Sequence, residues 1–257
     1  MILAKKIYFA SDFHFGIPDR NSSLRREEKF VRWLDRVQAD AEEIFLMGDL
    51  FDFWFEYKTV VPKGYVRLLG KLAEISDAGI PLHFFRGNHD MWAFDYLEKE
   101  VGIKLYRQPV IREFAGKKFF LAHGDALGRG DNGYKLIKYI FERKINRFLF
   151  RWIHPDIGVR LGLFWSGRSR YANIIKEEKE ARESIQPDFQ KSRLAGFCRD
   201  YLHSGEHIDY FIFGHWHVAN IEPLENGSFY IHLGDWLTRY TYGIFDGEKF
   251  ELKKFEE

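Results

Sequence analysis

Five short apolar runs in this chain each break off into a turn carrying the same few residue types. The turns are Ser11-Asp12-Phe13-His14, Gly48-Asp49, Gly87-Asn88-His89-Asp90, Ala122-His123-Gly124-Asp125 and Gly214-His215-Trp216-His217. Each run is of strand length, so each turn is expected to follow a buried strand. In open α/β sheets the crevice lies beyond the carboxyl ends of the strands. Turns far apart in sequence therefore converge at one edge, and the chain must fold so that all five share it.

The first half alternates strand and helix, which argues for βαβ units and a mostly parallel sheet. The expected elements are strand Lys6–Ser11, amphipathic helix Leu24–Val37, strand Glu43–Met47, helix Lys63–Ala78 and strand Pro81–Phe85. After Gly102 the pattern changes, and Lys104–Phe114 with Lys117–Ala122 reads as a hairpin turning at Ala115-Gly116. Residues 128–186 read as helical, with no strand signal. Asp209–Phe213 is again a buried strand. Asn220–Phe255 reads as antiparallel strands joined at Asn226-Gly227 and Asp246-Gly247, both good hairpin turns. A two-sheet α/β domain over 1–127 and 187–257, interrupted by a helical cap over 128–186, is the organisation these signals imply.

The residue types carry chemistry. Carboxylate oxygens mixed with imidazole nitrogens suit Mn²⁺, Fe²⁺ or Zn²⁺ better than Ca²⁺. Two cations about 3.5–4 Å apart can clamp a phosphoryl group and lower the pKa of a shared water to about 7. Asp49, on its short Gly-Asp turn, is the natural bridge between them. Glycine before Asp49, Asn88 and His215 lets the backbone bend tightly near the ions. One such piece alone is uninformative: a lone Asp-x-His is commonly coincidence, and a lone buried histidine commonly a hydrogen-bonded core residue. Five pieces in order, each after a strand, are a different matter. His83, His154, His203, His207 and His232 fall outside the pattern and are read as structural.

In these motifs the sequence resembles the calcineurin-like metallophosphoesterases. The resemblance covers roughly residues 6–127 and 208–240. It implies a four-layer α/β/β/α sandwich and a dinuclear site, manganese first among the candidate metals. By that pattern Asp12, His14 and His217 hold one metal, Asn88, His123 and His215 the other, and Asp49 bridges. His89 would face the phosphate and assist the leaving oxygen, with Asp90 orienting it. On its own, Asp90 also fits an N-cap for a helix over Met91–Lys99.

Within that superfamily, Gly48-Asp49-Leu50-Phe51-Asp52-Phe53-Trp54 and His123-Gly124-Asp125-Ala126-Leu127, followed by Asp131 and Tyr134, look like the UDP-2,3-diacylglucosamine diphosphatase family of lipid A synthesis. Ser169, Asn173 and Lys176 match its cap segment. The resemblance implies that Asp131, Tyr134, Ser169, Asn173 and Lys176 contact the substrate, a lipid-linked nucleotide sugar. One branch of that family carries arginine where this chain has His89. Arg86, Arg129 and Arg168 are further candidates for phosphate contact.

Composition narrows the rest. The formal net charge of +1 argues against extensive contact with nucleic acid. The single cysteine, Cys198, permits no internal disulfide and fits a reducing compartment. No stretch is long and apolar enough to span a bilayer. Lys135, Lys138, Arg143, Lys144, Arg147 and Arg151 stand against only Glu142 over residues 135–151. Leu136, Ile137, Ile140, Phe141, Ile145, Phe148, Leu149 and Trp152 recur there at helical spacing. Such a stripe packs on the domain, encloses acyl chains, or lies on an anionic membrane surface. A cytoplasmic enzyme peripheral to the inner membrane follows from the resemblance. Two alternatives stay open: another calcineurin-like hydrolase acting on nucleotides or phosphoproteins, and a non-catalytic protein that keeps the fold as an interaction surface. Retention of all seven ligands and His89 speaks against the second.

Overall fold

Alternation along each strand decides which layers it joins. In β1 (Lys6–Ala10), Ile7 and Phe9 pack between two sheets, while Tyr8 and Ala10 pack under helices on the outer face. A strand buried on both faces reads as a continuous apolar run. The same holds for β2 (Ala41–Leu46), β3 (Leu82–Phe85), β6 (Lys117–Ala122) and β7 (Tyr210–Phe213). The computed structural model describes residues 5–130, 132–167 and 189–256.

The first sheet has the order β11-β10-β1-β2-β3-β4, with β4 at Lys104–Tyr106, β10 at Thr241–Phe245 and β11 at Phe250–Lys254. Strands β1 to β4 are parallel, and β10 is antiparallel to β1. The second sheet has the order β5-β6-β7-β9-β8, with β5 at Val110–Phe114, β8 at Ala219–Pro223 and β9 at Phe229–Leu233. Its central β6, β7 and β9 are parallel. Both sheets thus have a parallel centre, and the five motif turns sit at the carboxyl ends of β1, β2, β3, β6 and β7.

Phe9 holds the sheets together, stacked on Phe45 at 5.1 Å and on Phe119 at 6.1 Å. All three are fully buried, each contributing about 1.5–3 kcal/mol relative to exposure. Helices α1 (Arg20–Val37) and α2 (Val66–Asp77) cover the first sheet through Phe30, Trp33, Leu34, Leu68 and Leu72. Asp19 caps α1 by accepting from the N–H groups of Asn21 and Ser22. A short α3 (Tyr96–Glu100) precedes β4. On the second sheet lies α7 (Arg193–His203), capped by Ser192 and packed through Leu194, Ala195 and Cys198. The result is the expected four-layer α/β/β/α sandwich.

Two expectations need correction. Lys104–Phe114 is not one arm of a hairpin. Its first three residues pair with β3, and Arg107-Gln108-Pro109 carries the chain across to the second sheet. Only Val110–Phe114 pairs with Lys117–Ala122, turning at Ala115 and Gly116, both at positive φ.

The apolar stripe also differs. Three helices follow residue 131: α4 (Asn132–Glu142), α5 (Lys144–Arg151) and α6 (residues 155–167). Arg143 is extended, so the helical phase restarts between α4 and α5. Docking falls to Phe141 and Phe150, which pack on Trp92, with Phe150 also 4.6 Å from Phe55. The indole N–H of Trp92 donates to the carbonyl of Phe141 at 3.0 Å. Leu136, Ile137, Ile140, Ile145, Phe148, Leu149 and Trp152 are exposed, Phe148 by 55% and Trp152 by 78%. No helix of the described residues is long and apolar enough to cross a membrane.

Candidate metal centre

Four of the motif residues lie in the left-handed region that side chains avoid: Asp12, His14, Asp49 and His215 have φ between 46° and 66°. Each such residue costs about 1–3 kcal/mol and persists only where the surroundings impose it. Cross-bracing imposes it here. The carbonyl of Asp49 accepts from the N–H groups of Phe13 and His14 at 2.9 and 3.0 Å. Its Oδ1 accepts from the N–H of His89 at 2.9 Å. Asp12 Oδ2 accepts from the N–H of His215 at 2.9 Å. Each of these turns is thus hydrogen-bonded to another.

Close approach of the β2 and β3 turns depends on Gly87, where a Cβ would lie 2.0 Å from Asp49 Oδ1 and 2.7 Å from its backbone nitrogen. Neither atom can move freely, because Oδ1 is bonded to His89 and the backbone is already strained. The Gly87→Ala protein should fold but bind metal about 10–100-fold more weakly, the usual cost of disturbing a group that orients a ligand. A binding isotherm indistinguishable from that of the unaltered protein would refute this.

With the turns fixed, ligand-type side chains gather in three overlapping groups; His14, Asp49 and His89 form one, and the other two carry the expected ligand set. Asp12, His14 and His217 bring one ligand atom each within 4.8 Å of one another, and so do Asp49, His123 and His215. Asn88 Oδ1 joins the second, 3.3 Å from His123 Nε2 and 3.1 Å from His215 Nδ1. Asp49 Oδ2 stands between the clusters, 3.8 Å from His14 Nε2 and 3.4 Å from His123 Nε2. The sequence-derived ligand set thus converges as one group.

The donor atoms fit cations. Asp12 Oδ1 is buried with no hydrogen-bond partner, 3.5 Å from His217 Nε2 and 3.9 Å from His14 Nε2. Those two imidazole nitrogens face each other at 3.3 Å. A carboxylate oxygen and two ring nitrogens aimed at one point leave a site that a divalent ion would satisfy. In the second cluster, His123 Nδ1 lies 2.8 Å from the carbonyl of Met47. A carbonyl can only accept, so Nδ1 carries a proton, and Nε2 is the nitrogen that faces Asp49 and Asn88 and would ligate once neutral.

Charge is distributed accordingly. Burial opposes a charged His123, yet Asp49 and Asp12 push its pKa up to about 10. For His217, burial again opposes, but the Asp12 carboxylate 3.5 Å away raises the value to about 9. Burial lowers His14 to about 3 and His215 to about 4, helped by neighbouring His89 and His123 respectively. Burial would raise both carboxylates; the histidines prevail, holding Asp12 down to about 2 and Asp49 well below the usual range. Each cluster therefore carries one imidazole proton below about pH 9–10. A cation must displace it, because only the neutral imidazole ligates. Metal affinity should rise with pH toward that range, with proton release on binding. Calorimetric titration in buffers of differing ionisation heat measures this directly; a pH-independent affinity between pH 6 and 8 would contradict it.

Near His89 the structure departs from expectation. Asp90 does not orient it. Asp90 Oδ1 accepts from the N–H of Gly87 at 2.7 Å, and Oδ2 accepts from those of Leu50 at 2.7 Å and Phe51 at 3.4 Å. Asp90 also caps no helix, since α3 begins only at Tyr96. It is a clamp between the β2 and β3 turns, and burial together with the charge of Asp49 raises it to about 7. His89 is instead held by its Nδ1, 3.0 Å from the carbonyl of Asp52 and 3.0 Å from Ser166 Oγ. Ser166 donates to Asp52 Oδ2 at 2.6 Å, and Asp52 Oδ1 is 3.8 Å from the ring.

Sequence reasoning missed Asp52 and Ser166 in this role, although Asp52 stood in the quoted Gly-Asp-x-x-Asp stretch. It also missed Arg26 and Ser23, which face inward from α1. Arg26 donates to the carbonyl of His14 at 3.1 Å, and Ser23 Oγ accepts from the N–H of Gly16 at 2.7 Å. Polar residues on the buried face of an amphipathic helix were the available signal.

The remaining candidates separate. Tyr134 donates to Asp125 Oδ2 at 2.6 Å, an oxygen that Lys138 also reaches at 2.6 Å. Arg86 is committed to the carbonyl of Met91 and to Glu142. Arg129 lies 3.4 Å from Asp200 at the surface. Asp131, Arg168, Ser169, Asn173 and Lys176 lie outside the described residues. His83 and His232 are structural as read, His83 beside Tyr106 and Glu43, and His232 against the carbonyl of Gly214.

A two-sheet sandwich with Asp, His and Asn ligands at the strand ends defines a phosphoesterase class. A family model for calcineurin-like phosphoesterases matches residues 5–219, and the chain belongs to that family of metal-dependent hydrolases. Its curated relatives are more particular. The UDP-2,3-diacylglucosamine hydrolase of Porphyromonas gingivalis is 36% identical, over 99% of both chains. That of Neisseria meningitidis serogroup B is 29% identical over 92% of each, and that of Vibrio atlanticus 25% identical over 98% of each. Among solved structures, an archaeal phosphodiesterase aligns with a TM-score of 0.47 at 15% identity, covering 96% of this chain and 98% of that one.

Proposed function

We propose that the chain hydrolyses the diphosphate of UDP-2,3-diacylglucosamine, releasing UMP and 2,3-diacylglucosamine 1-phosphate in lipid A synthesis. The observation that carries this reading is similarity to hydrolases of that name along essentially the entire chain, helical segment included. Asp12, His14 and His217 would hold one divalent ion, Asn88, His123 and His215 a second, and Asp49 Oδ2 both. Manganese is the proposed metal, with Fe²⁺ or Zn²⁺ as alternatives. When bound, the two ions supply charge against the phosphoryl oxygens and acidify the attacking water.

The chain's own groups do the rest. The crossed turns keep the ligand atoms aimed at two points, so little reorganisation accompanies reaction. The carbonyl of Asp52 fixes the proton of His89 on Nδ1, which leaves Nε2 to carry the proton for the leaving oxygen. Residues 128–186 would serve as a cap, and Asp131, Tyr134, Arg168, Ser169, Asn173 and Lys176 are the proposed contacts to the sugar and phosphate. Tyr134 acts there by holding Asp125.

The exposed apolar residues of α4 to α6, among Lys144, Arg147, Arg151 and Arg160, suit acyl chains and an anionic surface. A cytoplasmic location peripheral to the inner membrane, without a nucleic-acid partner, is part of the same proposal. The test is turnover of UDP-2,3-diacylglucosamine beside a chromogenic phosphodiester, with Mn²⁺ and with chelator. Metal-dependent UMP release far faster than diester cleavage supports the reading. Cleavage of the small diester alone keeps the metal centre and removes the lipid assignment.

A further inference from the structure

We propose that the cleft between the His123 turn and the polar side of α4 is the subsite for the nucleotide half of the diphosphate, a nucleoside 5′-monophosphate. This rests on the diphosphate reading above. The cleft has a volume of about 290 Å³, near the lower end for small-ligand sites. Its floor includes His123, Gly124 and Asp125, so it opens at the second ligand cluster.

One helix divides the surroundings by chemistry. Lys135, Lys138, Tyr139 and Glu142 follow i, i+3, i+4, i+7 spacing and line the cleft. Leu136, Ile137 and Ile140 of the same helix are exposed apolar residues that do not line it. An in-line displacement drives the two halves of a diphosphate apart, and here one half is polar and anionic while the other is acylated. A polar cleft and an apolar surface on one helix separate them.

The charge of the cleft suits a phosphate monoester. Arg86, Arg107, Lys135 and Lys138 line it together with two carboxylates, Asp125 and Glu142. Those carboxylates are already engaged, Asp125 by Lys138 and Tyr134, and Glu142 by Arg86. Lys135 and Arg107 donate to the carbonyls of Gly128 and Phe94, and neither meets a carboxylate among the described residues. Their charges are left for an incoming anion. At the rim, Tyr139 is 54% exposed, and Arg143 stacks over its ring at 4.0 Å. An aromatic ring so braced offers a nucleobase a stacking surface, and Gln108, which also lines the cleft, offers an amide for a hydrogen bond.

The test uses the manganese-loaded protein and three probes: UMP, inorganic phosphate and 2,3-diacylglucosamine 1-phosphate, each titrated calorimetrically. Against Arg107→Ala/Lys135→Ala, UMP should bind about tenfold more weakly or worse, as loss of charge-assisted contacts implies. Tyr139→Ala should weaken UMP and leave inorganic phosphate within about twofold, well under one charge-assisted contact. The lipid phosphate should hold its affinity for all variants. Failure of the unaltered protein to bind UMP, unchanged UMP affinity in the variants, or equal loss for all three probes would overturn the subsite. Lipid turnover with unchanged UMP affinity in the variants removes the subsite alone. Selective UMP loss in a protein that does not cleave the lipid removes the substrate reading alone.

Discussion

The Asp49→Ala protein is expected to hold neither metal ion and to turn over substrate about 10⁴-fold more slowly or worse, as when a member of a unitary catalytic group is removed. Asp49 Oδ2 lies within 4 Å of ring nitrogens in both clusters. Removing a peripheral ligand should spare one ion; removing this one should cost both. The alanine variant also leaves the His89 N–H without its acceptor, at about 1–3 kcal/mol if no water replaces it. Asp49→Asn separates the two effects, since its amide oxygen can still accept from His89 while the charge is gone. Elemental analysis after dialysis reads the stoichiometry, and circular dichroism confirms that both variants fold. An Asp49→Ala protein that retained two ions would overturn the bridging role.

Loss of His89 should look different. His89→Ala is expected to lower kcat by about 10²–10⁴-fold, the usual share of a general acid, with both ions still bound. The reason lies in its partners. The ring lies beside His14, with centroids 4.7 Å apart, but its Nδ1 is taken by the carbonyl of Asp52 and by Ser166 Oγ. On the proposed reading, its work is at the leaving oxygen. An ester with an acidic phenol as leaving group needs little protonation and should lose far less rate than the diphosphate. Equal losses on both substrates, or loss of an ion from the variant, would rule out this role.

Much of this centre was legible in the chain. Strand-length apolar runs ending in Asp, His and Asn had to deliver those groups to one rim, because parallel strands end on the same side. The position of Asp49 between clusters followed from its turn. The hairpin turns at Ala115-Gly116, Asn226-Gly227 and Asp246-Gly247 were equally local, set by backbone preferences within two residues.

What failed did so where the answer lay across the fold. Lys104–Phe114 looked like one strand, yet its residues pair with different sheets, and nothing local marks Arg107-Gln108-Pro109 as the crossing. The apolar stripe of residues 136–152 assumed one helical phase, and the extended Arg143 broke it. Phe150, outside the stripe, docks on Trp92 and Phe55 instead. Asp90 was assigned to His89 as its sequence neighbour, but the turn aims its carboxylate at the N–H groups of Gly87 and Leu50. His89 is held instead by the carbonyl of Asp52, 37 residues earlier in the chain.

The sequence by itself determined the ligand types and the edge where they gather. These depend on strand direction and two-residue alternation, which are short-range properties. Only the tertiary structure decided which oxygen faces which nitrogen, who holds His89, and that α4 separates a charged cleft from an apolar surface. Those are matters of distance between segments remote in sequence, set by how sheets and helices pack rather than by any local preference.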